Sequence, residues 1–142
     1  FAQDDIHAMD DTRYNPSMTA SRFEAGTPPV PNIYASRAGL AVLKNVGLLA
    51  IEQRIAKLTA HIIAKAEAAG YTLATPSEPE RHGAMIAMRA NDENAAVQAL
   101  EKRGIVTSCR DGNIRISPHA YNTKADIDAV FEVLETCQQD WL

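Results

Sequence analysis

"IVTSCRDGNIRIS", residues 105–117, decides the fold class. Two runs rich in β-branched residues flank Asp111-Gly112, and Asp-Gly between such runs is the strongest short hairpin signal. On the second strand Ile114 and Ile116 fall on one face, and Asn113, Arg115 and Ser117 on the other. The hairpin therefore has one face to bury and one that carries an arginine. It continues through "SPHAYNT" into "NTKADIDAVFEVLETCQQDWL" (122–142), a helix by its period. Thr123 offers a hydroxyl to the amide three positions on, and Asp126 stands where a capping box wants an acid. Ile127, Val130, Phe131, Leu134, Cys137 and Trp141 form the expected apolar stripe.

Upstream, "DENAAVQALEKRG" (92–104) reads as a helix capped by Asp92, with Val97 and Leu100 facing inward. "YTLAT" (71–75) and "AMIAMRA" (84–90) read as extended pieces on either side of the Pro/Glu-rich loop "PSEPERHG". Before them, "LLAIEQRIAKLTAHIIAKAEAAG" (48–70) repeats apolar residues at steps of three and four: Leu48, Ile51, Ile55, Leu58 and Ile62. "IYASRAGLAVLKNV" (33–46) is a further helix with apolar residues on one face, stopped by Gly47. Helices covering one face of a small mixed or antiparallel sheet make an α+β domain.

Residues 1–32 differ. They hold Pro16, Pro28, Pro29 and Pro31, four of the seven prolines. Each removes a backbone donor and extends its predecessor, which predicts an irregular arm in need of a covering partner. The expected division is an arm, 1–32, and a small domain with its leading helix, 33–142.

The 142 residues suffice for one compact domain with an arm. A net charge of −4, with lysine and arginine scattered, excludes a nucleic-acid partner held by phosphate neutralisation. No apolar run approaches the roughly 18 residues of a membrane span. "FAQDDIHAMDD" is acidic where a secretory signal is basic, so a cytoplasmic location is expected. Cys109 and Cys137 then read as two reduced, half-buried thiols. His7, His61 and His82 have no metal-ligand spacing with one another or with a cysteine, so no metal is expected.

Four residues can carry chemistry. Arg115, on a strand between core positions, is held more rigidly than a helix-surface arginine, and its planar fork suits a carboxylate. A solvent-facing strand arginine is the commoner alternative. His119, between strand and helix cap, is either a hydrogen-bonding or acid–base group near Arg115 or a loop histidine supporting the turn. Thr27, stiffened by Pro28, can donate to a fixed anion. Cys109 has Arg110 beside it but reads better as a small half-buried thiol.

The order of "RFEAGTP" (22–28), the two helices, "RHGAMIAMRA" (81–90) and "GIVTSCRDGNIRISPHAYNTKADIDAVFEVL" (104–134) resembles the C-terminal portion of the class V aminotransferases. These are fold type I pyridoxal-phosphate enzymes that include cysteine desulfurases, selenocysteine lyases, kynureninases and isopenicillin N epimerase. The resemblance runs from Arg22 to Leu134, and "RFEAGTP" with "RISPHAYNT" is its specific part. It implies that Thr27 reaches across a homodimer interface to the cofactor phosphate of the other subunit. It implies that Arg115 binds the α-carboxylate of an amino-acid substrate; His119, by its place near Arg115, is expected in the same substrate site.

The family holds its cofactor on a lysine N-terminal to the Gly-Thr-Pro stretch, whereas the first lysine here is Lys44, after it. The chain, which begins at Phe1, is therefore expected to be the C-terminal part of such an enzyme, inactive alone. The rival expectation is a free-standing α+β binding or regulatory module without catalysis, with a start codon near Phe1. Desulfurases carry a persulfide-forming cysteine on a longer loop before the arginine strand. The tight Asp111-Gly112 turn replaces that loop, so the nucleophile role is not carried to Cys109. This favours transamination, epimerisation or another elimination over desulfuration.

Overall fold

The structure, a computed structural model, describes residues 2–5, 7 and 12–136. It divides into two compact units, Phe1–Asn45 and Val46–Leu142.

In the first unit the arm has local order. Asp4 donates to the Asn15 carbonyl at 2.9 Å and Ser17 to that of Ala2 at 3.0 Å, pairing two short extended pieces. The hydroxyls of Ser17, Thr19 and Ser21 form a mutually bonded cluster, and Ser17 is buried. A 3-10 turn follows at Ala20–Phe23, and an irregular stretch carries Thr27 to helix α1, Val30–Val46. The helix begins three residues before Ile33 because Pro31 sits in its first turn, where proline's missing N–H has no intrahelical partner to lose. Of its residues none is buried, and Val30, Ile33, Tyr34, Leu40 and Val42 are exposed.

The second unit holds α2 (Leu48–Ala68), β1 (Ile86–Arg89), α3 (Glu93–Lys102), β2 (Ser108–Arg110), β3 (Asn113–Ile116) and α4 (Lys124–Thr136). The strands form an antiparallel sheet in the order β1-β3-β2. Ile114 pairs with Met88 and Cys109, and Ile116 with Ile86. This register puts Ile86, Met88, Ile114 and Ile116 on one face, all buried. Against it lie Leu58, Ile62 and Ala66 of α2, Ala96 and Leu100 of α3, and Ile127, Val130, Phe131 and Leu134 of α4. This is the α+β arrangement expected.

Three details differ from the sequence reading. "YTLAT" shrinks to a single bridge, Leu73 to Met88, with Ala74 donating to Ala87 and Thr72 accepting from Arg89. Tyr71 is buried, and residues 72–75 blunt the outer edge of β1 rather than adding a full strand. On α2 the buried stripe is Ile51, Leu58, Thr59, Ile62, Ile63 and Ala66, while Leu48 is exposed and Ile55 only half-buried. On α3 Leu100 is buried with Ala96, and Val97 is half-buried. Cys137 and Trp141 of the expected α4 stripe lie outside the described residues.

Candidate functional site

The site grows from the hairpin turn. Asp111 and Gly112 both carry positive φ, 52° and 76°, the twist that brings two right-handed strands back on themselves. The Asn113 side-chain amide donates to the carbonyls of Arg110 at 3.2 Å and Asp111 at 2.8 Å, and the Gly112 amide donates to Glu93 Oε1 of α3 at 3.2 Å. With β3 fixed at this end, the pleat turns Arg115 to the face opposite the core.

Arg115 stands in the middle strand between Ala87 of β1 and Ser108 of β2. Both paired neighbours are small, so neither crowds the Arg115 side chain on that face. It is partly buried, and its Nε donates to Met85 Sδ at 2.9 Å. A thioether is a weak acceptor and carries no charge, so Met85 orients the fork without neutralising it. Among the described residues Nη1 and Nη2 have no hydrogen-bond or carboxylate partner. A half-buried, oriented guanidinium with both terminal nitrogens available is built to take a planar anion.

His119 follows four residues on, in the loop between β3 and α4. Its ring stacks on Tyr121, centroids 5.3 Å apart and planes inclined by 29°. The loop closes on itself. The His119 amide donates to Asn122 Oδ1 and the Asn122 amide to the His119 carbonyl, each at 2.9 Å. The capping box forms as read: the Thr123 amide donates to Asp126 Oδ2 at 2.8 Å and the Asp126 amide to Thr123 Oγ1 at 3.2 Å. These donors, the Thr123 amide first and the Asn122 side chain next, hold the Asp126 carboxyl below its ordinary value. A cavity of about 610 Å³ opens nearby, lined by Thr107, Ser117, Tyr121, Asn122 and Asp126. A second, of about 600 Å³, lies between α2 and the loop at residues 77–84. Arg115 lines neither.

Thr27 belongs to the first unit and is exposed, its hydroxyl free of hydrogen bonds among the described residues. Arg115 and His119 are thus carried by one strand and the loop that leaves it, in the second unit, and Thr27 belongs to the first. Cys109 is a free thiol, half-buried, its Sγ donating to Asn94 Oδ1 at 3.4 Å. Among the described residues no three His, Cys, Asp or Glu side chains converge as metal ligands, and no helix is long and apolar enough to cross a membrane.

Sequence reading missed Met85 and Asn122. Met85 sits in "AMIAMRA" as one more apolar residue, and nothing in a pattern shows that its sulfur meets an arginine 30 positions away. Asn122 was visible as the residue before Thr-x-x-Asp, a place where a side-chain amide can close a turn.

Residues 51–134 match the family model of the kynureninase C-terminal domain. The chain is 31% identical over 108 residues to the uncharacterized aminotransferase YcbU of Bacillus subtilis, covering 76% of this chain and 29% of that protein. It is 28% identical over 134 residues to a kynureninase of Xanthomonas euvesicatoria, covering 88% and 32%. The chain thus spans about a third of the length of these curated relatives. Among solved structures, the apo cysteine desulfurase of Thermococcus onnurineus superposes with a TM-score of 0.77 at 20% identity, over 89% of this chain and 35% of that one. The cysteine desulfurase CsdA of Escherichia coli gives 0.70 at 19% identity, over 94% and 36%. At those identities the two structures show a shared fold. With more than half of its length matched, including the arginine strand, the loop after it and most of the final helix, the chain belongs to the kynureninase C-terminal domain family, the C-terminal portion of a class V aminotransferase-type enzyme.

Proposed function

We propose that this chain supplies the substrate-carboxylate site of a pyridoxal-phosphate enzyme of the class V aminotransferase type, cytoplasmic and homodimeric, acting on an amino acid. Residues 33–142 serve as its small domain and residues 1–32 as an interface arm. The observation that carries this reading is Arg115: oriented by Met85, flanked by Ala87 and Ser108, with both terminal nitrogens unclaimed among the described residues. A guanidinium in that state binds an α-carboxylate through two parallel charged hydrogen bonds, which fixes both the position and the plane of the substrate. His119, on the loop leaving the same strand, contributes a second polar group to that site.

The chemistry of the chain fits one contact to the cofactor. Thr27 offers an exposed hydroxyl with no partner of its own among the described residues, suited to a phosphate oxygen of a cofactor held by the other subunit. When bound, pyridoxal phosphate supplies the electron sink for bond breaking at the amino-acid α-carbon. This chain's own task is to hold the carboxylate and close the phosphate site. The covalent lysine belongs upstream of Thr27, and the chain alone is inactive.

The test is Arg115→Ala in the assembled enzyme, with kynurenine and a panel of other amino acids as substrates. Removing a charged, part-buried partner of the carboxylate costs about 2–4 kcal/mol, or about 30- to 1,000-fold in KM. Cofactor content should not change. An unaltered KM removes Arg115 from the substrate site; an assembled protein with no turnover on any of these substrates leaves the rival reading, a small-molecule-binding module without catalysis.

A further inference from the structure

The loop at residues 117–123 joins the arginine strand to α4, and its internal hydrogen bonds are short-range. They link His119 with Asn122, Asn122 Nδ2 with Asp126 Oδ2 at 3.3 Å, and Thr123 with Asp126. Such bonds fix the shape of the loop and attach it to the helix it runs into. They do not fix where the loop stands over the rest of the sheet. Among the described residues one hydrogen bond does so. Arg54 Nη2, from α2, donates to the Asn122 carbonyl at 2.7 Å across 68 positions of sequence. It is part-buried, short and charge-assisted, which puts it among the stronger kinds of hydrogen bond.

The acceptor is also the residue on which the loop is organised. Asn122 uses its amide nitrogen, side-chain oxygen and side-chain nitrogen to hold His119 and Asp126, and its carbonyl is what Arg54 takes. Fixing that carbonyl therefore fixes the whole hydrogen-bonded ring, and with it the His119 ring stacked on Tyr121. We infer that Arg54 is a positioning residue: through the Asn122 carbonyl it sets the placement of His119 relative to the Arg115 strand. The functional weight of this role rests on the reading of His119 as part of the substrate site. The geometry itself does not.

The experiment uses the full chain without ligand and two variants. Arg54→Met keeps the length and removes every donor, and Arg54→Lys keeps a charged donor. Amide exchange is read at His119, Asn122 and Thr123, with Val130 and Phe131 of α4 as internal references. The ring-current shift of the His119 protons from Tyr121 is read alongside. In Arg54→Met the three loop amides should exchange at least tenfold faster while the references hold, and the His119 shifts should move toward unstacked values. Arg54→Lys should restore part of both, and it carries the test should Arg54→Met fail to fold. Unchanged loop amides and ring shifts would overturn the inference. So would a uniform rise that includes Val130 and Phe131, since that marks a general structural tie. Because no substrate is present, an unaltered KM in Arg115→Ala would remove Arg115 from the substrate site without touching this result.

Discussion

Asp111 and Gly112 show how much a single backbone angle contributes to the site. Both lie in the left-handed region, and the space around Gly112 is open: a Cβ built there meets nothing within 4 Å. The effect of Gly112→Ala is therefore conformational rather than steric, about 1–2 kcal/mol for holding an L-residue at φ 76°. The variant should unfold at lower urea concentration with an unchanged denaturant slope. Gly112→Asn should lose less, since asparagine tolerates this region better. A loss in Gly112→Ala well above that range would mean that the turn also packs against something, and equal losses in the two variants would assign the cost to the side chain. Arg115 stands three residues further along, and its register against Ser108 follows from this turn. Loosening the turn loosens the arginine.

Between elements, α2 and α4 are joined by Asp128, whose Oδ1 accepts from His61 Nε2 at 2.8 Å and from Lys65 Nζ at 2.9 Å. The Lys65 hydrogen bond first, and that of His61 next, hold the Asp128 carboxyl below its ordinary value, while Asp128 holds Lys65 above its own. A depressed carboxyl contributes stability that is present above its unfolded value and lost as pH falls through the folded one. A raised ammonium contributes stability that is present below its unfolded value and lost as pH rises through the folded one. The clasp should therefore hold from mildly acidic to moderately alkaline pH and fail at both ends. Asp128→Asn should lower Tm across that window and converge with the parent chain in strong acid, where both lack the charge. Two melting curves that stay parallel down to pH 2 would show that the ion pair adds nothing, as exposed pairs often do. None of this was legible in the sequence, because His61, Lys65 and Asp128 are simply polar positions on two helices. What was legible was local: the Asp-Gly turn, the Asp92 cap and the Thr123–Asp126 box each need only neighbours within a few residues. Periodicity on α2 identified Leu58 and Ile62 but also promoted Leu48 and Ile55, since a stripe records apolar spacing and not what covers it. The same limit explains α1, where Val30, Ile33, Tyr34, Leu40 and Val42 are exposed.

For the whole molecule, the proposed reaction needs more than the groups gathered here. Arg115 and His119 belong to one unit and Thr27 to the other, and the proposal has Thr27 serving a neighbouring subunit rather than its own Arg115. The proposal takes none of this chain's lysines as the covalent anchor. Lys44, Lys57, Lys102 and Lys124 are exposed. Lys65 is bonded to Asp128, and with its affinity for the proton raised it is a poor nucleophile at neutral pH. Pyridoxal phosphate added at one equivalent should therefore elute apart from the chain on gel filtration and keep the absorbance of the free cofactor. Borohydride reduction should leave the bulk of the protein at its unmodified mass. The contrary result has a clear reading. Stoichiometric retention, with the reduced adduct mapped by peptide mass to a single lysine, would put the anchoring role inside these 142 residues and make the chain a complete cofactor site. Scattered, substoichiometric labelling of the exposed lysines would reflect surface reactivity alone and agree with a chain that binds carboxylate and phosphate but leaves the covalent step to another part of the enzyme.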